Sequence, residues 1–341
     1  MTKKFKIVYT DPMWAVGPDG AIAPALAGLE RDVYGPEVEV VLGLYEGGNF
    51  VKQGPRLLEM LRDADAAVIY RTQISTDVVA ALKPSCKVVA RQGVGYDNLN
   101  APLLAENGIY GFNVPDYCAD EASTHAVTLL LALERHLCLQ NDKLKNGTWD
   151  IYLGGYPRRL NDLTVGILGF GRIGRAVARK LQPFYGRVVA FDPYVHGDLM
   201  KGYGVGKHHD LAAFLADCDA VMLHALLDAD THHIINRDSI LAMKPGALLV
   251  NGARGNLVQP EGVLEALEAK RIGGYASDVF TPEDPNQHPV NKKILAFDNV
   301  VVSSHRAFLS DAAETSQRRR VCEEVVRVLK DGHPPLFGRL A

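Results

Sequence analysis

A chain of 341 residues, 47% hydrophobic and 23% charged, is longer than one ordinary domain, and its composition excludes a disordered or fibrous polymer. Its formal charge of -3 gives no net attraction to a phosphate backbone or an acidic membrane, so neither is an expected partner. No run of about 20 apolar residues marks a membrane span, and no apolar leader with a small-residue cleavage site opens the chain. Cys86, Cys118, Cys138, Cys218 and Cys322 lie far apart with no C-x-x-C pair, which predicts free thiols in the cytoplasm and no metal site. Asn146-Gly147-Thr148 is then an accidental glycosylation sequon.

Strands are predicted at Phe5 to Tyr9, Val38 to Leu42, Ala66 to Tyr70, Lys87 to Ala90 and Ile109 to Phe112, with helical spacing at Arg56 to Leu61 and Ala101 to Glu106. Such alternation indicates a parallel sheet covered on both faces. Pro115 then marks a plausible domain crossing. From Asp120 to about Cys138 the pattern is continuously helical and so apolar that more than its own sheet is expected to cover it. A second series of strands follows at Val165 to Leu168, Val188 to Asp192, Ala220 to His224, Ala247 to Val250, Tyr275 to Val279 and Val300 to Val302. Helices are expected near Leu211 to Leu215, Asp238 to Met243 and Pro260 to Ala269. A last helix runs from Asp311 to Leu329, with Asp311 and Glu314 as a capping box and Gly332 near its stop.

The second series opens on Gly169-Phe170-Gly171-Arg172-Ile173-Gly174, which leaves a strand and starts a helix. Gly169 permits the tight turn, Gly171 lets backbone approach a pyrophosphate, and Gly174 lets the helix lie close to the sheet. Unpaired amides at the helix start would meet the phosphates. Asp192, 18 residues after Gly174 and at the end of the next strand, would accept from the adenosine ribose hydroxyls and repel a 2'-phosphate. No arginine follows within Pro193 to His196, so the expected cofactor is NAD and not NADP.

Hydride transfer to a 2-oxoacid needs an anchor for the carboxylate, a donor to the carbonyl and a proton source. Asn251-Gly252-Ala253-Arg254-Gly255 places an arginine just beyond a strand's carboxyl end, where ligands of parallel sheets bind. A guanidinium can fork onto a carboxylate and donate toward a developing alkoxide. Glu283 and His305 lie beyond the two following strands. Bonded to one ring nitrogen, Glu283 would orient the imidazole and leave the other nitrogen for the substrate oxygen.

With these segments in order, the whole chain resembles the D-isomer-specific 2-hydroxyacid dehydrogenase family. The resemblance rests on Gly93 to Asn98, Asn113 to Cys118, the glycine fingerprint, Lys244 to Ala247, Asn251 to Gly255, Asp278 to Glu283 and Asn299 to His305. It implies two doubly wound α/β domains, a Rossmann coenzyme domain (116-307) inserted into a flavodoxin-like substrate domain (1-115 plus 308-341). It assigns Arg254, Glu283 and His305 as the reacting residues, with backbone amides at Val94 and Gly95 holding the substrate carboxylate. It further implies that Asp278 bonds the nicotinamide carboxamide, that Ala253 positions that ring, that His224 lies near the coenzyme, and that the helix after Asp120 forms a homodimer.

Departures from the family pattern are Ser304 before the histidine, Ala225-Leu226 after His224, and Asp284 before Pro285. Arg306, Arg71 and Arg91 are candidates for recognising a second polar or anionic group on the substrate, or are surface residues. The expected reaction is reversible reduction of a small 2-oxoacid such as glyoxylate, hydroxypyruvate or pyruvate. A phosphoglycerate dehydrogenase without a regulatory domain is one alternative, and an NAD-sensing corepressor or scaffold of the same fold is another.

Overall fold

The structure, a computed structural model, describes residues 4–341. It divides into two compact units, one running to Tyr117 and completed by Ser310–Ala341, the other spanning Cys118–Leu309.

The first unit holds β1 (Phe5–Tyr9), β2 (Val38–Leu42), a short antiparallel hairpin of β3 (Tyr45–Glu46) and β4 (Asn49–Phe50), then β5 (Ala66–Ile69), β6 (Val88–Arg91) and β7 (Tyr110–Asn113). The five longer strands form one parallel sheet in the order β2-β1-β5-β6-β7. With the hairpin set aside this is the flavodoxin-like order. β5 and β6 are buried along their whole length, as expected of strands covered on both faces. One face packs Val8, Leu57, Leu61, Ile69 and Val89. The other packs Ile7, Tyr9 and Phe112 against Val321, Cys322 and Val325 of the last helix, Asp311–Leu329.

The second unit holds β8 (Thr164–Leu168), β9 (Arg187–Phe191), β10 (Gly206–His208), β11 (Ala220–Leu223), β12 (Ala247–Asn251), β13 (Ile272–Ser277) and β14 (Val300–Val302). All seven are parallel, in the order β10-β9-β8-β11-β12-β13-β14. The direction of winding reverses between β8 and β11, which opens a crevice at their carboxyl ends. Helices Ala119–Glu134 and Arg172–Leu181 cover one face through Ala126, Leu130, Val177 and Leu181. The shorter helices Leu211–Asp217, Arg237–Ala242 and Pro260–Glu268 cover the other through Phe214, Ile240, Val263 and Leu267. Each such fully buried apolar side chain contributes roughly 1.5–3 kcal/mol, which sets the crevice on a stiff base.

Two expectations need correction, on where one helix ends and on what caps another. The helix expected from Asp120 to Cys138 ends at Glu134; His136 takes a left-handed φ of 52° and starts a second helix, Leu137–Lys145. As expected, more than the sheet covers the apolar side of the first of these helices: the glycine-fingerprint helix packs on it too, within the same unit. Ser310, not Asp311, caps the last helix, its hydroxyl accepting from the Ala313 amide at 3.0 Å. Asp311 and Glu314 are therefore both inside the first turn, where their charge still suits the helix dipole.

Candidate active site

The glycine turn follows from what side chains would do there. Gly169 has φ +93°, and a Cβ on it would stand 2.4 Å from the backbone nitrogen of Ala225. A Cβ on Gly174 would stand 2.2 Å from the Gly169 carbonyl oxygen, so the helix can lie this close to β8 only without one. At Gly171 the space is open, with nothing within 4 Å of an added Cβ. Helix Arg172–Leu181 begins there without a side-chain cap, leaving its first amides to a ligand. Phe170 is buried and packs edge-on against Tyr203, so only its backbone belongs to the turn. Ile173 packs on the same core, while Arg172 is exposed.

Asp192 stands one residue past β9 and is bound into the turn. Its Oδ2 accepts the Phe170 amide at 2.8 Å and its Oδ1 the Tyr194 amide at 3.0 Å. Two amides fix the carboxylate, and a carboxylate has about four acceptor positions, so capacity remains for ribose hydroxyls. His224 stands one residue past β11, its amide bonded to the Leu168 carbonyl at 2.7 Å. Both ring nitrogens are shielded from solvent and lack a protein partner. Burial pushes its pKa down to about 4, so the ring is neutral above that pH. An open glycine cradle, a carboxylate at the next strand end and an orphaned polar ring across the crevice are the features a dinucleotide requires.

The expected reacting residues occupy the other half of the same sheet. Arg254, Glu283 and His305 follow β12, β13 and β14, three adjacent strands. Asn251 braces the first loop: its side chain donates to the Arg254 carbonyl at 2.8 Å and accepts the Ala253 amide at 3.1 Å. Arg254 Nη1 donates to the Ala253 carbonyl at 2.9 Å. His305 Nδ1 lies 2.8 Å from Glu283 Oε2 and 3.0 Å from Oε1. The carboxylate accepts from Nδ1, which leaves Nε2 as the second hydrogen-bonding position of the ring. Ser304, noted above as a departure before the histidine, is exposed and leaves this pair intact.

Asp278 is buried just past β13, and its carboxylate is more engaged than the sequence suggested. It accepts from Ser303 Oγ at 2.6 Å and from the amides of Arg306 and Ala307 at 3.0 and 2.8 Å. Arg306 itself is exposed. In the other unit, Val94 and Gly95 lie on the loop after β6, where the Val94 carbonyl accepts from Asn113 Nδ2. Arg71 and Arg91 both place their guanidinium groups over the Tyr70 ring, 5.3 and 5.0 Å from its centre, and Arg91 is buried. Among the described residues no cluster of histidine, cysteine, aspartate and glutamate could hold a metal ion.

The NAD-binding-domain profile of the D-isomer-specific 2-hydroxyacid dehydrogenases matches residues 127–307. The chain is 33% identical over 278 residues to a hydroxypyruvate reductase of Thermotoga maritima, covering 81% of this chain and 87% of that protein. It is 32% identical over 300 residues to a D-3-phosphoglycerate dehydrogenase of Methanocaldococcus jannaschii, covering 86% of this chain but only 54% of that longer protein. A D-lactate dehydrogenase of Aquifex aeolicus, solved with NAD and lactic acid, superposes with a TM-score of 0.80 at 25% identity, over 96% of both chains. The chain belongs to the D-isomer-specific 2-hydroxyacid dehydrogenase family and is an NAD-dependent oxidoreductase of that class.

Proposed function

We propose that this protein reversibly reduces a small 2-oxoacid, of the size of glyoxylate, hydroxypyruvate or pyruvate, to its D-2-hydroxyacid. The observation that carries this reading is the Glu283–His305 pair at 2.8 Å, on the loops after β13 and β14, with Arg254 on the loop after β12, the next strand of the same sheet. When bound, NADH supplies a hydride to C2 of the acid. Arg254 forks onto the substrate carboxylate and draws charge toward its side of the site. His305 Nε2 gives a proton to the carbonyl oxygen as the C–H bond forms, and takes it back in the oxidative direction. Glu283 orients the ring and balances the charge of its protonated form. One 2-oxoacid, one NADH and one proton thus yield one hydroxyacid and one NAD.

For the coenzyme, the amides from Gly169 to Gly174 meet the pyrophosphate, Asp192 the ribose hydroxyls, His224 the crevice wall, and Ala253 with Asp278 the nicotinamide end. Val94 and Gly95 are assigned to the substrate on the family resemblance, and Arg306, exposed and next to His305, is the candidate for a second polar or anionic group on it. Cys118–Leu309 is accordingly the coenzyme unit and the remainder the substrate unit. NADH absorbance across a panel of 2-oxoacids, repeated with NADPH, tests both halves of this assignment. Turnover of at least one of the three acids is expected, with kcat/KM about tenfold or more in favour of NADH because Asp192 repels a 2'-phosphate. A saturated panel without turnover sinks the substrate reading, and equal use of both coenzymes sinks the role of Asp192.

We also infer a homodimer. Leu137, Trp149, Ile151 and Tyr156, on and just after helix Leu137–Lys145, are 62%, 80%, 71% and 84% exposed, an apolar concentration that a monomer rarely leaves open. Sedimentation equilibrium should give twice the chain mass, and Trp149→Asp with Tyr156→Asp should shift it toward the monomer; a wild-type monomer at micromolar concentration overturns this. No helix among the described residues is long and apolar enough to cross a membrane, and all five cysteines are free. A cytoplasmic location is proposed from the free, dispersed cysteines, with cell fractionation as its check.

A further inference from the structure

The turn that carries His305 is held by one residue. The amides of His305, Arg306 and Ala307 all donate to Asp278, the first to its carbonyl at 2.7 Å and the next two to its carboxylate at 3.0 and 2.8 Å. His305 itself has φ +52°, the left-handed region, which is unfavourable for a residue other than glycine. Three consecutive bonds to Asp278 offset that cost, so the position of the imidazole depends on where Asp278 points.

What points Asp278 comes from elsewhere in the chain. Ser303 Oγ is 2.6 Å from its Oδ1 and 2.7 Å from Nε2 of His125, which lies on helix Ala119–Glu134 and stands 3.6 Å from the same carboxylate oxygen. A hydroxyl has one proton, and the carboxylate can only accept it. Ser303 therefore accepts from His125 Nε2–H while donating to Asp278. The order is aspartate, serine, histidine. In a nucleophilic triad the hydroxyl gives its proton to the histidine, so this Ser303 is a bridge and not a nucleophile.

We infer that His125 and Ser303 are positioning residues for the reaction, fixing the Asp278 carboxylate and through it the left-handed turn that presents His305. The inference rests on the proposed role of His305 as proton donor. Misplacing a reacting group by a fraction of an ångström costs rate and leaves binding largely intact, because the bound ligands make their other contacts.

Ser303→Ala should lower kcat about tenfold, with KM for the 2-oxoacid within twofold. Ser303→Thr retains the hydroxyl and should recover kcat to within twofold. His125→Leu, at the far end of the bridge, should lower kcat about fivefold, and the double variant should be no worse than Ser303→Ala, since both act on one chain of bonds. Unchanged kcat in Ser303→Ala, a loss that threonine does not recover, or additive losses in the double variant would each overturn the inference. A readout independent of turnover is the ring resonance of His305 in cofactor-free protein labelled at histidine. It should move in Ser303→Ala and return in Ser303→Thr, and a resonance that stays put overturns the inference whatever the rates do. Wild-type protein that oxidises no NADH would instead overturn the proposed function, and the resonance would still decide this one.

Discussion

Replacing His305 by glutamine is expected to lower kcat about a thousandfold while NADH affinity stays within twofold. Positioned general acid catalysis contributes about a hundred- to ten-thousandfold, and an amide cannot release a proton to an alkoxide at neutral pH. Glutamine is chosen because its side chain can still bond to Glu283, so the loop after β13 retains a partner for a carboxylate that is 39% exposed. Ala253 and Asp278, proposed for the nicotinamide end, follow other strands, which is why affinity should survive. Steady-state rates with NADH fluorescence titration on the same preparation decide the matter. A variant that retains a tenth of the wild-type kcat would remove His305 from the role of proton donor.

Replacing Arg254 by leucine should act mainly through the acid. Truncating one partner of a desolvated charge pair costs about 2–5 kcal/mol, and about 1.4 kcal/mol is a factor of ten, so a loss in kcat/KM on the order of a thousandfold is expected. Both constants should move, KM from the lost carboxylate fork and kcat from the lost donor to the developing alkoxide. Lysine at this position carries the charge without the planar fork and should recover only part of the loss. Because Asn251 bonds to the backbone of the loop and not to the guanidinium, the loop should hold its course in either variant. Measured kcat/KM values within tenfold of wild type for Arg254→Leu would show that the carboxylate is anchored elsewhere.

The strands were legible because most are buried on both faces and therefore read as unbroken apolar runs. Val165 to Leu168, Ala220 to Leu223 and Ala247 to Val250 all lie inside observed strands of that kind. Helix Thr76–Leu82 is hard to read because Thr-Asp-Val-Val is rich in β-branched residues; its start is set by Ser75, whose hydroxyl accepts from the Val78 amide. The break at His136 carried no glycine or proline to announce it, and only the left-handed backbone shows it. Ser310 stands out poorly in the sequence because the two acidic residues that follow it offer an equally good cap.

At the site, the glycine spacing and Asp192 were readable because their geometry is local to one strand-turn-helix unit. The Glu283–His305 contact joins positions 22 apart; their places beyond two consecutive strands suggest it, and the family resemblance singles these two residues out. The bridge from His125 to Ser303 joins positions 178 apart on a helix and a strand end. Nothing in the order of residues along the chain signals it, since it exists only once the helix is laid across the sheet. The nearest clue was Ser303 itself, a small hydroxyl just before the candidate acid.

The strand order has one more implication, for divergence. Asp192 follows β9 and Arg254 follows β12, three strands away across the sheet, or roughly 14 Å at the usual spacing. Changes at sites that far apart and without shared partners combine nearly independently in free energy. A lineage could therefore exchange one nucleotide currency for another without retraining the palate of the enzyme for its acid, and the reverse.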